Sequence, residues 1–241
     1  DHLNARLDAQ LHLAPDPRLR FGSMQVSGDT RVREEAIRRI AGFPKGANFH
    51  PDLVAKSANR LRRTGTFSSV VLREAETPND DGTLDFTAQF EDLPPRRLTF
   101  GAEISSSDGI ELSGSWMHRN LFGAAEKLRI EGRLRGIGTD LDGRVAVRLD
   151  RPAALGPDDS RFYMLEAEHL DEEHYSTTQM LAALGMRRTY SEKFYAEAAL
   201  GGSSTLADDV FGKRRFKYLA GFIRAQYDAR DSRVDPKQGF F

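Results

Sequence analysis

Lys127-Leu128-Arg129-Ile130-Glu131-Gly132-Arg133-Leu134-Arg135 is the stretch whose reading decides the fold. In an extended chain Leu128, Ile130, Gly132 and Leu134 fall on one side, and Lys127, Arg129, Glu131, Arg133 and Arg135 on the other. A period of two is the period of a strand, here with one apolar and one wet face. The scheme recurs outward from this stretch. Leu98, Phe100, Ala102 and Ile104 alternate with Arg97, Thr99, Glu103 and Ser105, and Val145, Val147 and Leu149 alternate with Arg144, Arg148 and Asp150. Residues 96–241 hold segments of roughly ten residues parted by Gly, Asp, Asn, Ser and Pro, with almost no helical period. They predict eight strands, near 96–105, 109–119, 126–136, 143–151, 160–170, 175–187, 192–202 and 213–228. A soluble sandwich and a wide, water-filled barrel both satisfy this pattern.

Upstream the period changes. Residues 20–94 read as a small α+β unit of order β-α-α-β-β. Arg20–Val26 alternates like a strand, and Ser27-Gly28-Asp29 is turn chemistry. Asp29 or Thr30 is the expected cap of a first helix carrying Val32, Ala36, Ile37 and Ile40 at helical spacing. Ala41 to Gly46 stops it. A second helix opens at Pro51, carries Leu53, Val54, Ser57 and Leu61 on one side, and ends at Gly65. Val70–Arg73 and Leu84–Glu91 are the remaining strands, joined by Pro78-Asn79-Asp80-Asp81-Gly82. There is also an internal echo: Ala9-Gln10-Leu11 before Pro17-Arg18 and Phe21-Gly22 resembles Ala88-Gln89-Phe90 before Pro95-Arg96 and Phe100-Gly101. It suggests that residues 3–14 are the last strand of a preceding, similar domain.

Composition narrows the function classes. The 241 residues carry a net charge of −1, so no bulk attraction to nucleic acid is expected. The absence of cysteine excludes disulfides and cysteine-metal sites. No apolar run is long enough for a transmembrane helix, but barrel strands hide their lipid face by alternation. Catalytic motifs are missing too. His169 and His174 flank Asp171, Glu172 and Glu173, yet four intervening residues do not make the helical metal spacing, and the segment reads as a solvated hairpin turn. Gly136-Ile137-Gly138 lacks the third glycine and the helix of a phosphate loop. No serine or threonine occupies a nucleophile elbow. Neither an enzyme nor a cofactor is expected.

Three further stretches carry a resemblance. Phe21-Gly22 through Val26-Ser27-Gly28, then Gly46-Ala47-Asn48-Phe49, then Leu61 through Gly65-Thr66-Phe67-Ser68-Ser69-Val70 resembles a POTRA domain. Gly101–Ser106, Gly109–Trp116 and His118-Arg119-Asn120-Leu121-Phe122-Gly123-Ala124-Ala125-Glu126 resemble the first barrel strands and first periplasmic turn of the BamA/TamA superfamily. Asp228-Ala229-Arg230-Asp231 with Pro236 and Gly239 resembles its Asp-x-Arg-Asp turn, and the likeness runs closest to the TamA branch. The resemblance implies a division into residues 1–18, the last strand of a preceding POTRA domain; 19–94, a complete POTRA domain; and 95–241, the N-terminal half of a sixteen-stranded antiparallel transmembrane β-barrel.

What the resemblance implies for function is an outer-membrane assembly factor with periplasmic POTRA domains, acting on unfolded β-barrel or autotransporter chains. The implied partners are those chains, an inner-membrane TamB-like protein and outer-membrane lipids. Two surfaces follow. One is the barrel seam strand, Arg97, Leu98, Thr99, Phe100, Gly101, Ala102, Glu103, Ile104 and Ser105, which templates incoming strands. The other is a POTRA edge, with Val70, Val71, Leu72 and Arg73 or Met24, Gln25 and Val26 as candidates for strand addition. Arg129, Arg133, Arg135, Arg144 and Arg148 are expected to solvate a lumen and pair with Glu103, Glu131 and Asp150, and Trp116 to lie in an interfacial girdle. BamA itself or a two-partner secretion pore are the alternatives within the superfamily. Outside it stands a soluble periplasmic binding protein with a lipocalin-like eight-stranded barrel.

Overall fold

The computed structural model describes residues 18–105, 109–137, 140–230 and 237–239. The expected strand at residues 3–14 lies outside them. The described chain starts with β1 (Arg20–Ser27), α1 (Glu34–Ala41), α2 (Pro51–Arg63), β2 (Phe67–Glu74) and β3 (Thr83–Asp92). These strands form a sheet of order β1-β3-β2, with β1 parallel and β2 antiparallel to the central β3. A parallel β1–β3 pair needs a long crossover, and the two helices and β2 supply it. One face of the sheet is filled by Phe21, Phe43, Phe49 and Phe86, with Phe21 lying 5.2 Å, 5.3 Å and 5.6 Å from the other three ring centres. The helices add Ile37, Ile40 and Leu61, all buried, against Val70 and Ala88.

The helix ends show where local chemistry decided the boundary and where it did not. Gly42 follows α1 with φ of 54°, a left-handed conformation that glycine adopts without a Cβ penalty, and its N–H closes on the Arg38 carbonyl. Pro51 opens α2 at its first turn as expected, and the His50 ring accepts from the Asp52 N–H. The expected cap of α1 is corrected. The helix starts at Glu34 behind Arg33, with no side-chain cap. Thr30 instead donates to Asp92 at 2.8 Å, and Asp92 accepts the Arg31 N–H at 2.8 Å. The Thr30 hydroxyl still accepts the Val32 N–H at 3.2 Å, closing a turn that ends before the helix begins.

From Arg96 onward every element is a strand: β4 (Arg96–Ser105), β5 (Gly109–Arg119), β6 (Lys127–Ile137), β7 (Asp142–Pro152), β8 (Asp159–Glu172), β9 (Tyr175–Thr189), β10 (Phe194–Asp209) and β11 (Gly212–Tyr227). They pair antiparallel in chain order into one sheet, β4 at one edge and β11 at the other. An eight-stranded closed barrel of the lipocalin kind would join those edges; here they stand at opposite sides of the sheet. β10 corrects its expected end at residue 202. Gly201-Gly202-Ser203-Ser204 has turn composition, yet the strand continues to Asp209 because β9 and β11 pair it on both sides over its full length. Gly185 in β9 is required by contact: a Cβ there would clash with the Phe162 ring and the Ala198 carbonyl.

Truncating Phe21, 0% exposed, should cost about 3–5 kcal/mol by opening a cavity among the four rings. Amide exchange in the full-length Phe21→Ala protein should accelerate across α1, α2 and β3 while β6–β9 keep their protection. Equal loss in both sheets would contradict a core confined to the small domain and the rim turns it touches.

Candidate functional site: the sheet edges and the interdomain joint

The two faces of the long sheet differ in kind. One face carries Leu98, Phe100 and Ile104 of β4, Leu112 of β5, Ile130 and Leu134 of β6, Val145 of β7, Leu165 of β8, Met180 and Leu184 of β9, Leu200 of β10, and Leu219 and Ile223 of β11, all exposed. The ladders align them: Leu98 opposite Trp116, Trp116 opposite Ile130, Ile130 opposite Val147 and Val147 opposite Leu165. An apolar exposed face this wide, continuous across eight strands, is a lipid-facing surface rather than a water-facing one.

The other face is charged. Arg144 reaches Glu166 at 2.7 Å, Arg135 reaches Asp142 at 2.6 Å, and Arg148 reaches Asp150 at 3.1 Å. Arg129 meets Glu131 at 3.4 Å. Glu197 of β10, 2% exposed, takes Arg187 at 2.5 Å and Arg148 at 3.6 Å, while the Arg148 guanidinium stacks 4.0 Å over the buried Phe162 ring. Sequence reasoning named Arg148 and Asp150 but missed Glu197. Its partners are fixed only by register, which sets Glu197 opposite Arg187. These pairs occupy the arginines in structure rather than leaving them for a passing chain. Among the described residues no group of three or more His, Asp or Glu side chains is placed to hold a metal ion, and His169 is hydrogen-bonded to Thr178 across the β8–β9 hairpin.

The joint between the two sheets was not anticipated. The turns β5–β6, β7–β8 and β9–β10 all emerge on the side of the small domain, and each touches it. The Arg60 guanidinium of α2 donates twice to Asp158 of the β7–β8 turn, at 2.6 Å and 3.0 Å, and Arg63 adds a third bond at 3.2 Å. Lys56 lies 3.9 Å from the same carboxylate. Asn59 donates to Glu192 of the β9–β10 turn. In the β5–β6 turn the Gly123 carbonyl accepts the Arg33 N–H at 2.9 Å, and the Asn120 amide donates to the Arg31 carbonyl at 2.8 Å.

Backbone strain collects at the same place. Among the described residues the non-glycine positions with positive φ are Asn120 (66°), Ala125 (58°) and Ala153 (50°), all in turns that face the small domain. Each such residue costs on the order of 1 kcal/mol. Asn120 offsets this by accepting the Ala125 N–H, and Glu126 by accepting the N–H groups of Phe122 and Ala124. Ala124, Ala125 and Ala153 are buried in the same apolar cluster as Ile37 and Leu61, so the small domain's core runs into the rim of the large sheet.

The expected surfaces fall on strand edges. β4 is the shortest strand of the long sheet, at 10 residues against 16 for β11. Arg97, Thr99, Gly101 and Glu103 lie on its charged face, and Leu98, Phe100, Ala102 and Ile104 on its apolar face; all are exposed, and Ser105 is half-buried. Both candidate strands of the small sheet are edges too. They are not equally open. The outer side of β1 is closed at its start by Ala47, Gly46 and Phe49, which bond the backbone of Phe21 and Leu19. Met24, Gln25 and Val26 lie beyond that clamp. On β2 the Val70 carbonyl is taken by Arg62 at 2.7 Å, and Val71, Leu72 and Arg73 follow it.

This geometry defines a class: a small β-α-α-β-β domain docked on one rim of an antiparallel barrel sheet. Comparison with known proteins agrees with it. Residues 19–91 match the POTRA family, described as a surface antigen variable number repeat. Over 137 residues the chain is 26% identical to the outer membrane protein assembly factor BamA of Neorickettsia risticii (strain Illinois), a match covering 57% of this chain and 18% of that protein. The backbone superposes on BamA from Haemophilus ducreyi lacking POTRA domains 1-3 with a TM-score of 0.70 at 16% identity, over 93% of this chain and 47% of that one. It superposes on CdiB from Acinetobacter baumannii with a TM-score of 0.66 at 11% identity, over 87% of this chain and 43% of that one. The structures speak for the fold, and the chain spans less than half the length of each of these proteins. Residues 19–91 are thus a POTRA domain, and the chain as a whole is similar to proteins of the BamA/TamA-type outer-membrane superfamily, with barrel strands in the outer membrane and the POTRA domain in the periplasm. The turns that grip the POTRA domain are therefore the periplasmic ones.

Arg60, with Arg63 behind it, holds the Asp158 carboxyl at about 2, against the burial that opposes ionisation. A depressed folded-state pKa stabilises docking fully above the ordinary value of 3.8 and loses that contribution as pH falls through about 2. Spin labels at the exposed positions Ser68 and Leu155 of the full-length protein should therefore give one narrow distance at neutral pH. Asp158→Asn should broaden it at neutral pH, and wild type should broaden only in acid. An unchanged distribution in Asp158→Asn would show that the clamp does not hold the domain.

Proposed function

We propose that this chain is the junction region of an outer-membrane assembly factor that aids insertion or translocation of β-barrel and autotransporter proteins. Within the superfamily we favour the TamA-like role, on the Arg119-Asn120-Leu121-Phe122-Gly123 turn and the short loops. In this reading residues 19–94 are a complete POTRA domain and residues 95–241 the first eight strands of a sixteen-stranded barrel, the later strands lying beyond this chain. The inner-membrane partner is of the TamB kind, and the substrates are unfolded outer-membrane or autotransporter chains.

The observation that carries the reading is β4. It is the edge strand of the barrel sheet, it has the fewest ladder pairs to give up, and its apolar face is bare, with Phe100 77% and Ile104 83% exposed. Arg97 to Ser105 then form one side of a seam that opens sideways and offers backbone N–H and C=O groups to an incoming strand. No catalytic residue is needed: pairing replaces the water that the substrate backbone gives up, and so lowers the insertion barrier. Val71 to Arg73 of β2, or Met24 to Val26 of β1, hold the same chain earlier, in the periplasm. The relative named an outer membrane protein assembly factor supports this role.

A photo-crosslinking residue at Thr99 or Gly101 of the full-length protein should capture an autotransporter stalled during assembly, and the same residue at Ala146 of β7 should not. Equal capture at both strands, or none at β4 while the substrate still reaches the surface, would contradict seam templating.

A further inference from the structure

We propose that Arg39, Arg151 and Arg161 form a binding site for the phosphate of an anionic phospholipid at the periplasmic side of the membrane, bridging the POTRA domain to the barrel rim. The inference rests on the membrane reading of the long sheet. Arg151 continues the lipid-facing row Val145, Val147, Leu149 of β7, and Arg161 precedes Tyr163 and Leu165 on the same face of β8. The two arginines are register partners, directly opposite each other. Like charges so placed repel, and a pair of this kind is stable when an anion lies between them. Arg39 of α1 joins them around a cavity of about 300 Å³, with Pro152, Ala153 and Ala154 completing the wall.

No ion pair to any of the three arginines is found among the described residues. The nearby acids are otherwise engaged or turned to other work. Glu126 lines the cavity but is 2% exposed, its carboxylate taking the N–H groups of Phe122 and Ala124. Asp159 faces Arg188 at 3.5 Å. Glu35 lies one turn before Arg39 on α1 without a bond to it. A phosphate diester matches this gap: guanidinium groups bind phosphate oxygens in a bidentate fork.

The depth fits a headgroup. Arg151 and Arg161 bracket the periplasmic 153–158 turn, which carries Asp158. On the membrane side the next cross-strand row is Leu128, Leu149, Tyr163 and Leu184, an apolar bed for acyl chains. A headgroup with its own amine would bring a cation into an arginine cluster, so the preferred lipid is one without it, such as phosphatidylglycerol. Because Arg39 belongs to the POTRA domain and its partners to the barrel, the lipid ties domain orientation to the membrane surface.

The test is native mass spectrometry of the full-length protein in detergent, titrated with phosphatidylglycerol or phosphatidylcholine, with heat-modified gel mobility confirming a folded barrel. Wild type should take up phosphatidylglycerol in preference. Arg151→Gln with Arg161→Gln should weaken that uptake by at least about tenfold and leave phosphatidylcholine unchanged. Arg39→Gln should weaken it less, and the double lysine variant should retain most of it. Unaltered uptake in the glutamine variant, equal uptake of the two lipids, or displacement by millimolar inorganic phosphate would overturn the proposal. If the double glutamine variant fails to fold, Arg39→Gln decides alone. A full-length protein that needs no detergent would instead overturn the membrane reading beneath it.

Discussion

A backbone amide in hydrocarbon has no water to bond, so every strand of a membrane sheet must be paired on both sides or meet a substitute. The arrangement of this chain follows from that constraint. β5 to β10 have a partner on each side. β4 and β11 each have one neighbour among the described strands. Of the two, β4 is the weaker commitment: it is short, it carries Gly101 at its centre, and its Phe100 ring covers Gly114 instead of a filled neighbour. A seam is the place where a membrane sheet can exchange partners without leaving backbone groups bare for long.

The POTRA joint lies on the periplasmic rim of the same sheet. Three non-glycine residues in left-handed conformations, an arginine-gripped Asp158 and a run of buried alanines hold the domain against three successive periplasmic turns. Strain of this kind persists only where the surroundings over-determine it. The turn before β6 is held by Asn120 and Glu126 from within and by Arg31 and Arg33 from the POTRA side. The domain is thus set on the periplasmic rim of the barrel sheet. The arginine pair Arg151 and Arg161 lies on the outside of the same rim, where domain, barrel and membrane surface meet.

Much of the fold can be read from local pattern. The alternation at Lys127–Arg135 does set Leu128, Ile130 and Leu134 on the lipid side, and the helix pair with Pro51 and Gly65 matches α2 and its end. Reading fails where tertiary pairing overrides local chemistry. Gly201 to Ser204 look like a turn, but two neighbouring strands hold them extended. Thr30 looks like a cap, but its hydroxyl, tied to Asp92 62 residues away, accepts the Val32 N–H in a turn before the helix starts at Glu34. The candidate surfaces were legible as strands, and their status as edges depends on sheet order, which no local signal carries. The joint was illegible for a similar reason: Arg60 and Asp158 are 98 residues apart, and nothing around either hints at the other.

Strand templating requires β4 to be the labile edge of the barrel sheet. Amide hydrogen exchange of the full-length protein in lipid measures this directly. The amides of residues 97–105 should exchange at least about a hundredfold faster than those of β6, β7 and β8, with opening energies well below the global value. Protection of β4 equal to that of the central strands would contradict a seam that opens, and with it strand templating as the mechanism.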